Sequence, residues 1–140
     1  SGNWLRFSVK PDSLKPSYAT GTGHAMLAYL PSSELQAILV QTRFQKLTPK
    51  TVSSQHGLMA CLKKVKKNHV SLTDGGTVAQ VMSIAAPVFN AHGKVFAAVS
   101  VGGPSSRMAS QADAMSSQVI QAAQEMTQQM GWLGPWPPMI

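Results

Sequence analysis

Apolar residues recur at helical spacing, three or four positions apart, in four parts of the chain. The first of these parts follows a glycine turn and stops at Pro31, and the second has Ser33 and Gln36 at capping-box spacing, with Leu35, Ile38 and Leu39 expected to be buried. The last one has apolar residues on one face and is closed by Gly131. Four helices are therefore predicted, at residues 24–30, 31–39, 55–68 and 115–130.

Shorter stretches rich in Val, Ile and aromatic residues predict the strands, at residues 4–9, 70–72, 78–89 and 94–101. The last two are separated by a four-residue turn that ends in Gly93, and they should form a central hairpin. The expected order is one strand, three helices, three strands and a long helix. Strands joined by hairpins and segregated from helices are typical of an α+β fold rather than a parallel, doubly wound one.

The length of 140 residues and a hydrophobic content of 44% fit one domain with its own core. No apolar run reaches the roughly 18 residues of a membrane span, and no secretory signal opens the sequence. The single cysteine, Cys61, lies on or beside the apolar stripe of a helix and is interpreted as a small core residue rather than a nucleophile. These features favour a cytoplasmic protein without disulfide bonds.

A net charge of +7 raises the possibility of nucleic-acid binding. The densest cluster, four lysines within residues 63–67, alternates around apolar positions and is interpreted first as the solvated face of a helix. No helix-turn-helix or aromatic stacking motif accompanies these lysines. The four histidines lack metal-ligand spacing, so neither a metal site nor another cofactor is expected.

The turn formed by Gly21, Thr22 and Gly23 opens the first helix and could bind an anion through unpaired N–H groups. It could equally be a tight helix entry, and it lacks the spacing of a P-loop or a dinucleotide-binding motif. Catalytic patterns are weaker still, because the chain has five acidic residues without an evident converging pair and no GxSxG motif. An enzyme is therefore not expected.

Four segments, taken in order, resemble the effector domain of bacterial transcription regulators of the IclR type. They are ATGTGHAMLAYL at 19–30, LTPKT at 47–51, IAAPVF at 84–89 and AAVSVGGPSSR at 97–107. The resemblance implies a GAF-like α+β domain over residues 1–131, with about six antiparallel strands, helices on both sides and a long C-terminal helix. Residues 132–140, which include three prolines, would form an irregular tail. The winged-helix DNA-binding domain that normally precedes this region of the family would be missing from the sequence.

The resemblance also implies a site for a small organic acid. Its carboxylate would lie against the backbone of the glycine turn, and side chains of the sheet would hold the rest of the ligand. The implied ligand-binding residues are Gly21, Thr22, Gly23, Thr73 or Asp74, Ser83, Ser100 and Gly102, with Trp4, Phe7 and Met26 as candidates for the pocket wall or for ordinary core packing. Family members commonly have cysteine near Ser83 and serine near Gly102, so a ligand identical to that of the glyoxylate and pyruvate sensors does not follow from the resemblance, and the exchange of serine for glycine leaves room for a bulkier or aromatic acid.

The sequence therefore predicts a ligand-sensing domain that changes how a separate DNA-binding domain engages its operator. Its expected partners are a small organic acid and a second copy of itself, in a homodimer or homotetramer, with DNA reached only through the missing domain and no membrane contact. The alternative is a dimerisation module without a functional ligand.

Overall fold

The computed structural model describes residues 17–139, which form one three-stranded sheet with helices on both faces. The elements in chain order are α1 (Gly21–Leu27), α2 (Ser32–Gln41), α3 (Gln55–Asn68), β1 (Ser71–Asp74), β2 (Val81–Phe89), β3 (Val95–Pro104), α4 (Ser105–Met108), a 3-10 turn (Ala109–Gln111) and α5 (Ala112–Gln129). None of the helices in this part of the chain is long and apolar enough to cross a membrane.

The sheet is antiparallel, with β2 between β1 and β3. Its register places Ser71 opposite Ala85, and Ala85 opposite Ser100. Two residues further along each strand, Thr73 lies opposite Ser83. Because side chains alternate between the faces of a sheet, residues paired across strands and residues two apart share one face.

Local hydrogen bonds fix where two of the helices begin. Thr20 precedes α1, and its Oγ1 accepts a hydrogen bond from Gly23 N at 3.0 Å. Ser54 caps α3 in the same way, accepting from Gly57 N at 3.0 Å, and the residue that follows α3, His69, is in the left-handed conformation. A capping side chain of this kind stabilises a helix by about 1 kcal/mol.

Two apolar clusters fill the two sides of the sheet. The side chains of β2 alternate between these two clusters. Met82, Ile84, Ala86 and Val88 pack with α5 in one cluster, whereas Phe89 packs with α1 and α3 in the other. On the α1 side, the rings of Tyr29 and Phe89 meet edge to face with centroids 5.4 Å apart. Nearly every residue of β2 is buried, as expected for a strand covered on both faces.

Three expectations from the sequence need correction. Residues 17–139 contain three strands rather than about six, and the strand expected at 4–9 lies outside the described residues. The capping box at Ser33 is wrong, because Ser33 lies inside α2, whose N-cap is Pro31, and no side chain caps this helix. The expected buried stripe of α2 is incomplete, since Leu39 is buried but Ile38 is exposed.

The segment after α5 contains neither helix nor strand in its described residues, but it is attached to the domain. Trp136 packs against both apolar clusters, and its Nε1 donates a hydrogen bond to the carbonyl oxygen of Pro87 at 3.1 Å. The expected irregular tail therefore contributes to the core instead of standing apart from it.

Candidate functional site

Polar and small residues line the α1 face of the sheet in two adjacent rows. One row runs across the strands through Thr73, Ser83 and Gly102, and the neighbouring row runs through Ser71 and Ser100 with Ala85 between them. The structure thus brings four sequence-predicted site residues, Thr73, Ser83, Ser100 and Gly102, onto one face. Ser100 and Gly102 are exposed on β3, so the β3 end of this face is open.

The N-terminal turn of α1 lies directly on these rows. A Cβ atom added to Gly21 would lie 2.9 Å from Ser83 Oγ and 3.4 Å from Ser71 Oγ. Ser71 Oγ also donates a hydrogen bond to the carbonyl oxygen of Gly21 at 2.7 Å. The absence of a side chain at Gly21 is therefore what allows the helix to approach the sheet so closely.

Gly23 has a different reason to be glycine. A Cβ atom there would lie 2.1 Å from the backbone oxygen of Ser17, which no side-chain adjustment could relieve. Its N–H is already bonded to Thr20 Oγ1. Of the three residues of the turn, Gly21 and Thr22 keep N–H groups without an acceptor in the part of the chain that the structure describes. These two N–H groups are the ones available to an anion at this turn.

Asp74 lies one position beyond Thr73 and therefore points to the opposite face of the sheet. Its carboxylate accepts a hydrogen bond from Ser105 Oγ and lies 4.0 Å from Lys50 Nζ. These contacts connect the end of β1 to the start of α4 and to the loop after α2. Of the two alternatives that the resemblance left open, Thr73 shares the face with Ser83 and Asp74 does not.

The LTPKT segment, which also carries the resemblance, connects two loops. Thr51 Oγ1 donates to the carbonyl oxygen of Gly76 at 2.6 Å, and Thr48 Oγ1 donates to that of Gly75. Thr51 Oγ1 also accepts from Leu47 N and Thr48 N. The motif thus attaches the loop before α3 to the turn between β1 and β2.

The remaining predicted wall residues are only partly placed. Thr22 and Met26 are one helical turn apart, share a side of α1 and are half-buried. Trp4 and Phe7 lie outside the described residues. Neither Thr22 nor Met26 borders the main cavity described next.

A cavity of about 590 Å³ lies beside the outer edge of β1, between α3 and the first turns of α5. It shares Thr73 and Asp74 with the predicted site, and the other predicted residues do not line it. His24 of α1, Lys64 of α3 and Lys50 contribute to its wall. Sequence patterns missed this cavity because its wall comes from side chains of five separate segments.

His24 is a deeply buried polar residue of that wall, with 3% of its surface exposed. Its Nε2 lies 2.6 Å from the carbonyl oxygen of Tyr18. Because a carbonyl oxygen only accepts hydrogen bonds, Nε2 carries the proton and Nδ1 is the acceptor of the neutral ring. Burial lowers the pKa of His24, against the opposing effect of the Tyr18 hydrogen bond, and so favours the neutral form.

The pKa values of two other groups are also shifted by burial. Burial raises the pKa of the Cys61 thiol, an effect that the charge of Lys64 reduces. Burial also raises the pKa of Tyr29 to about 12. A thiol with a raised pKa is a poor nucleophile, which agrees with the interpretation of Cys61 as a packing residue.

The four lysines of α3 lie on the surface of the domain. Lys63, Lys64, Lys66 and Lys67 are all exposed on α3, as the sequence predicts for a solvated face. Among residues 17–139 there is no cluster of three or more His, Cys, Asp or Glu side chains that could hold a metal ion.

Comparison with known families identifies relatives over most of the sequence. The family described as "Bacterial transcriptional regulator IclR C-terminal" matches residues 13–128. The HTH-type transcriptional regulator BhcR of Paracoccus denitrificans is 30% identical over 124 residues, which cover 88% of this chain and 44% of that regulator. The chain therefore spans less than half the length of this curated relative.

Solved structures show the same fold. A transcriptional regulator of the IclR type from Silicibacter sp. TM1040 superposes with a TM-score of 0.86 at 26% identity, covering 98% of this chain and 54% of that one. The inducer-binding domain of PobR from Acinetobacter, a double mutant in complex with 3-hydroxybenzoic acid, superposes with a TM-score of 0.72 at 25% identity. The match covers 93% of this chain and 75% of the PobR domain.

Proposed function

The chain belongs to the IclR C-terminal family of bacterial transcriptional regulators, and on that premise we propose that it binds a small organic acid as the effector-sensing part of a larger regulator. The family consists of regulators and not of enzymes. The observation that carries the proposal is the close contact of the Gly21 turn with Ser83 and Ser71, on the face of the sheet that also carries Ser100, a region that we term the groove.

The groove offers the two kinds of group that an organic acid needs. The N–H groups of Gly21 and Thr22 would hold the carboxylate, and the hydroxyls of Ser83, Ser100 and Thr73 would bond the remaining polar atoms. Its open end at Gly102 leaves room for a ligand larger than a two-carbon or three-carbon acid. The PobR domain, which has this fold, holds 3-hydroxybenzoic acid, and this supports an aromatic acid as a candidate.

A thermal-shift screen of small carboxylic and aromatic acids tests the proposal. A cognate acid at about 100 times its Kd should stabilise the fold by about 2.7 kcal/mol and raise Tm by roughly 8 °C. Ser100→Ala should weaken binding roughly 5- to 150-fold if its hydroxyl becomes a buried partner of the acid. Ser110→Ala, at an exposed serine of the 3-10 turn, is the matched control and should leave the shift unchanged.

Two outcomes would contradict the proposal. The first is that no acid in the screen shifts Tm, which would favour a dimerisation module without a ligand. The second is that an acid shifts Tm but neither Ser83→Ala nor Ser100→Ala reduces the shift. Gly21→Val is unsuitable for this purpose, because its side chain would collide with Ser83 and displace α1 with or without a ligand.

We propose that a further strand pairs with the outer edge of β3. Within residues 17–139, β3 pairs only with β2, although it is ten residues long and exposes Phe96 and Val101. A long, apolar edge strand of this kind normally pairs or is covered. Hydrogen exchange should show β3 amides less protected in this 140-residue chain than in a full-length regulator; equal protection would argue against added strands.

We also propose that the domain self-associates. The end of α5 and the tail expose four large apolar side chains, Met126, Met130, Leu133 and Met139. Leu133 is 95% exposed, which favours burial against another subunit. Sedimentation should show a dimer or tetramer that Leu133→Ser weakens more than Val40→Ser, a change at a side chain that is 83% exposed on α2. A monomer at tens of micromolar would contradict this assembly.

A further inference from the structure

The cavity beside β1 contains a hydrogen-bond acceptor that no described residue uses. Nε2 of His24 is bonded to Tyr18, and Nδ1 has no partner in the described part of the chain. Among the described residues, Tyr29 Oη is the only side-chain N or O atom that lacks both a hydrogen-bond partner and any accessible surface. Nδ1 of His24, which also lacks a partner, therefore has accessible surface. Because His24 lines the cavity, we take this surface to face the cavity. A buried acceptor at a cavity wall is suited to a ligand that brings a donor.

The wall around His24 is mostly apolar. Ala19 and Val65 are buried there, and Val52 and Cys61 are half-buried. Ser71 also lines the cavity, but its hydroxyl proton is committed to the carbonyl oxygen of Gly21, so its oxygen can only accept. The inner part of the cavity therefore offers apolar surface and acceptors, which suits a neutral O–H or N–H group rather than a carboxylate.

The outer part of the cavity is cationic on the α3 side. Lys64 lines it and forms no ion pair within residues 17–139, and Asn68 lies one turn further along the same helix. Lys50 also lines the cavity, and its charge is offset by Asp74 at 4.0 Å. The other carboxylate, Asp113, lines the cavity from α5 rather than from α3. A negative group would therefore be held at the α3 side, next to Lys64.

From this arrangement we propose that the cavity beside β1 is a second ligand site, separate from the groove at Gly21 and Ser83, for a carboxylic acid that carries a hydroxyl group at its opposite end. The hydroxyl donates to Nδ1 of His24, and the carboxylate lies beside Lys64. The volume of about 590 Å³ is within the range of small-molecule sites.

Histidine NMR on the 140-residue chain, with 3-hydroxybenzoate as the probe and benzoate as the matched acid without a hydroxyl, tests the site. The two-bond proton–nitrogen spectrum should show His24 with its proton on Nε2 at pH 7. At millimolar concentration, 3-hydroxybenzoate should move the Nδ1 resonance upfield, as expected for a nitrogen that accepts a new hydrogen bond. Benzoate should bind about 3- to 10-fold more weakly, the loss expected for one hydrogen bond.

Two lysine variants provide the control for the carboxylate. Lys64→Gln should weaken 3-hydroxybenzoate binding about 2- to 5-fold, in line with one exposed ion pair, and the effect should shrink at high salt. Lys63→Gln changes a neighbouring exposed lysine that does not line the cavity, and it should have no effect. Ser100→Ala separates the two sites, because it alters the groove on the α1 face and leaves the contacts of His24 in place.

The results that overturn this inference differ from those that overturn the proposed function. A proton on Nδ1 of His24, a His24 spectrum unchanged by millimolar 3-hydroxybenzoate, or equal effects of Lys63→Gln and Lys64→Gln would each exclude the second site. An acid that shifts Tm through Ser100 while the His24 spectrum stays unchanged would exclude the second site and support the first.

Discussion

The contact between Gly21 and Ser83 can be tested by adding one methyl group and then removing the atom that it meets. In Gly21→Ala the new Cβ would lie 2.9 Å from Ser83 Oγ, about half an ångström closer than ordinary van der Waals contact. The backbone at Gly21 is helical, so alanine itself is compatible with its conformation. The clash with Ser83 is therefore the main unfavourable effect of the substitution.

The expected magnitude follows from two opposing contributions. Overpacking at a buried contact costs about 1 to 3 kcal/mol, whereas replacing glycine by alanine in a compatible conformation stabilises by about 0.4 to 1 kcal/mol. Gly21→Ala should thus lower the free energy of unfolding by about 1 kcal/mol, near the middle of the range of about 0 to 2.6 kcal/mol that the two contributions span. Ser83→Ala removes a hydroxyl with no hydrogen bond recorded in residues 17–139 and should cost under about 0.5 kcal/mol.

The double variant Gly21→Ala/Ser83→Ala should recover the stability of the unmodified chain. Its remaining neighbours, Ser71 Oγ and Ser83 Cβ, are 3.4 Å from the new Cβ, an ordinary contact distance. Urea denaturation followed by circular dichroism should therefore give a favourable coupling energy of about 1 to 2 kcal/mol. Additive effects, with no favourable coupling between the two substitutions, would refute the close approach of α1 to the sheet.

Ser71→Ala is the control for this rescue. Ser71 Oγ also lies near the new Cβ, but it donates a hydrogen bond to the carbonyl oxygen of Gly21. Removing it deletes this buried hydrogen bond to an oxygen of the first turn of α1, at a cost of about 0.5 to 1.5 kcal/mol. The variant Gly21→Ala/Ser71→Ala should therefore be less stable than Gly21→Ala alone, so recovery by this route would show that the rescue is not specific to Ser83.

Four other outcomes are expected. Tyr29→Phe removes a buried hydroxyl without a partner and should raise Tm by roughly 3 °C; a lower Tm would show that the hydroxyl is satisfied. The unfolded chain protonates His24 near pH 6.5 and the folded one at lower pH, so stability should be full above pH 6.5 and fall below it; chemical denaturation should show a smaller fall in His24→Gln, and an equal fall would contradict the shift. Gly23→Ala should lower the free energy of unfolding by more than about 3 kcal/mol in urea titrations, because its Cβ meets the backbone of Ser17, and a loss under about 1 kcal/mol would contradict this. Fluorescence anisotropy should show only salt-sensitive, non-selective binding of duplex DNA, whereas sequence-selective binding at physiological salt would contradict the assignment of DNA contacts to another domain.

Local signals in the sequence predicted the helices and the hairpin well. Helix α3 begins and ends at the predicted residues 55 and 68, because a serine cap and a positively charged last turn mark its ends. The strands of the hairpin were also predicted, although β2 begins three residues later than expected and β3 runs on through Gly102 and Gly103 to Pro104. Pairing with β2 keeps those two glycines in the sheet, and pairing between distant residues cannot be deduced from local propensity.

The α1 face shows how far pattern and resemblance extend for a binding site. Alternation along the strands is sufficient to put Ser83 and Ser100 on one face once their register is known, but the sequence does not contain the register. Gly23 shows the opposite case. It was expected to admit a ligand, yet its lack of a side chain is required by the backbone of Ser17, a contact between residues six apart that no motif announces.

The His24 acceptor could not have been predicted from the sequence, because it depends on three facts that only the fold supplies. Burial keeps the ring neutral, the carbonyl oxygen of Tyr18 fixes the proton on Nε2, and the cavity gives access to Nδ1. Without burial the ring would be protonated at a higher pH, without the Tyr18 bond it could take the other tautomer, and without the cavity a ligand could not reach Nδ1. Helix α1 thus carries both the backbone donors of Gly21 and Thr22, at the proposed groove, and the side-chain acceptor of His24, at the cavity beside β1. Because α1 is short and packs on β2, ligands bound at the two proposed sites would act on the same element.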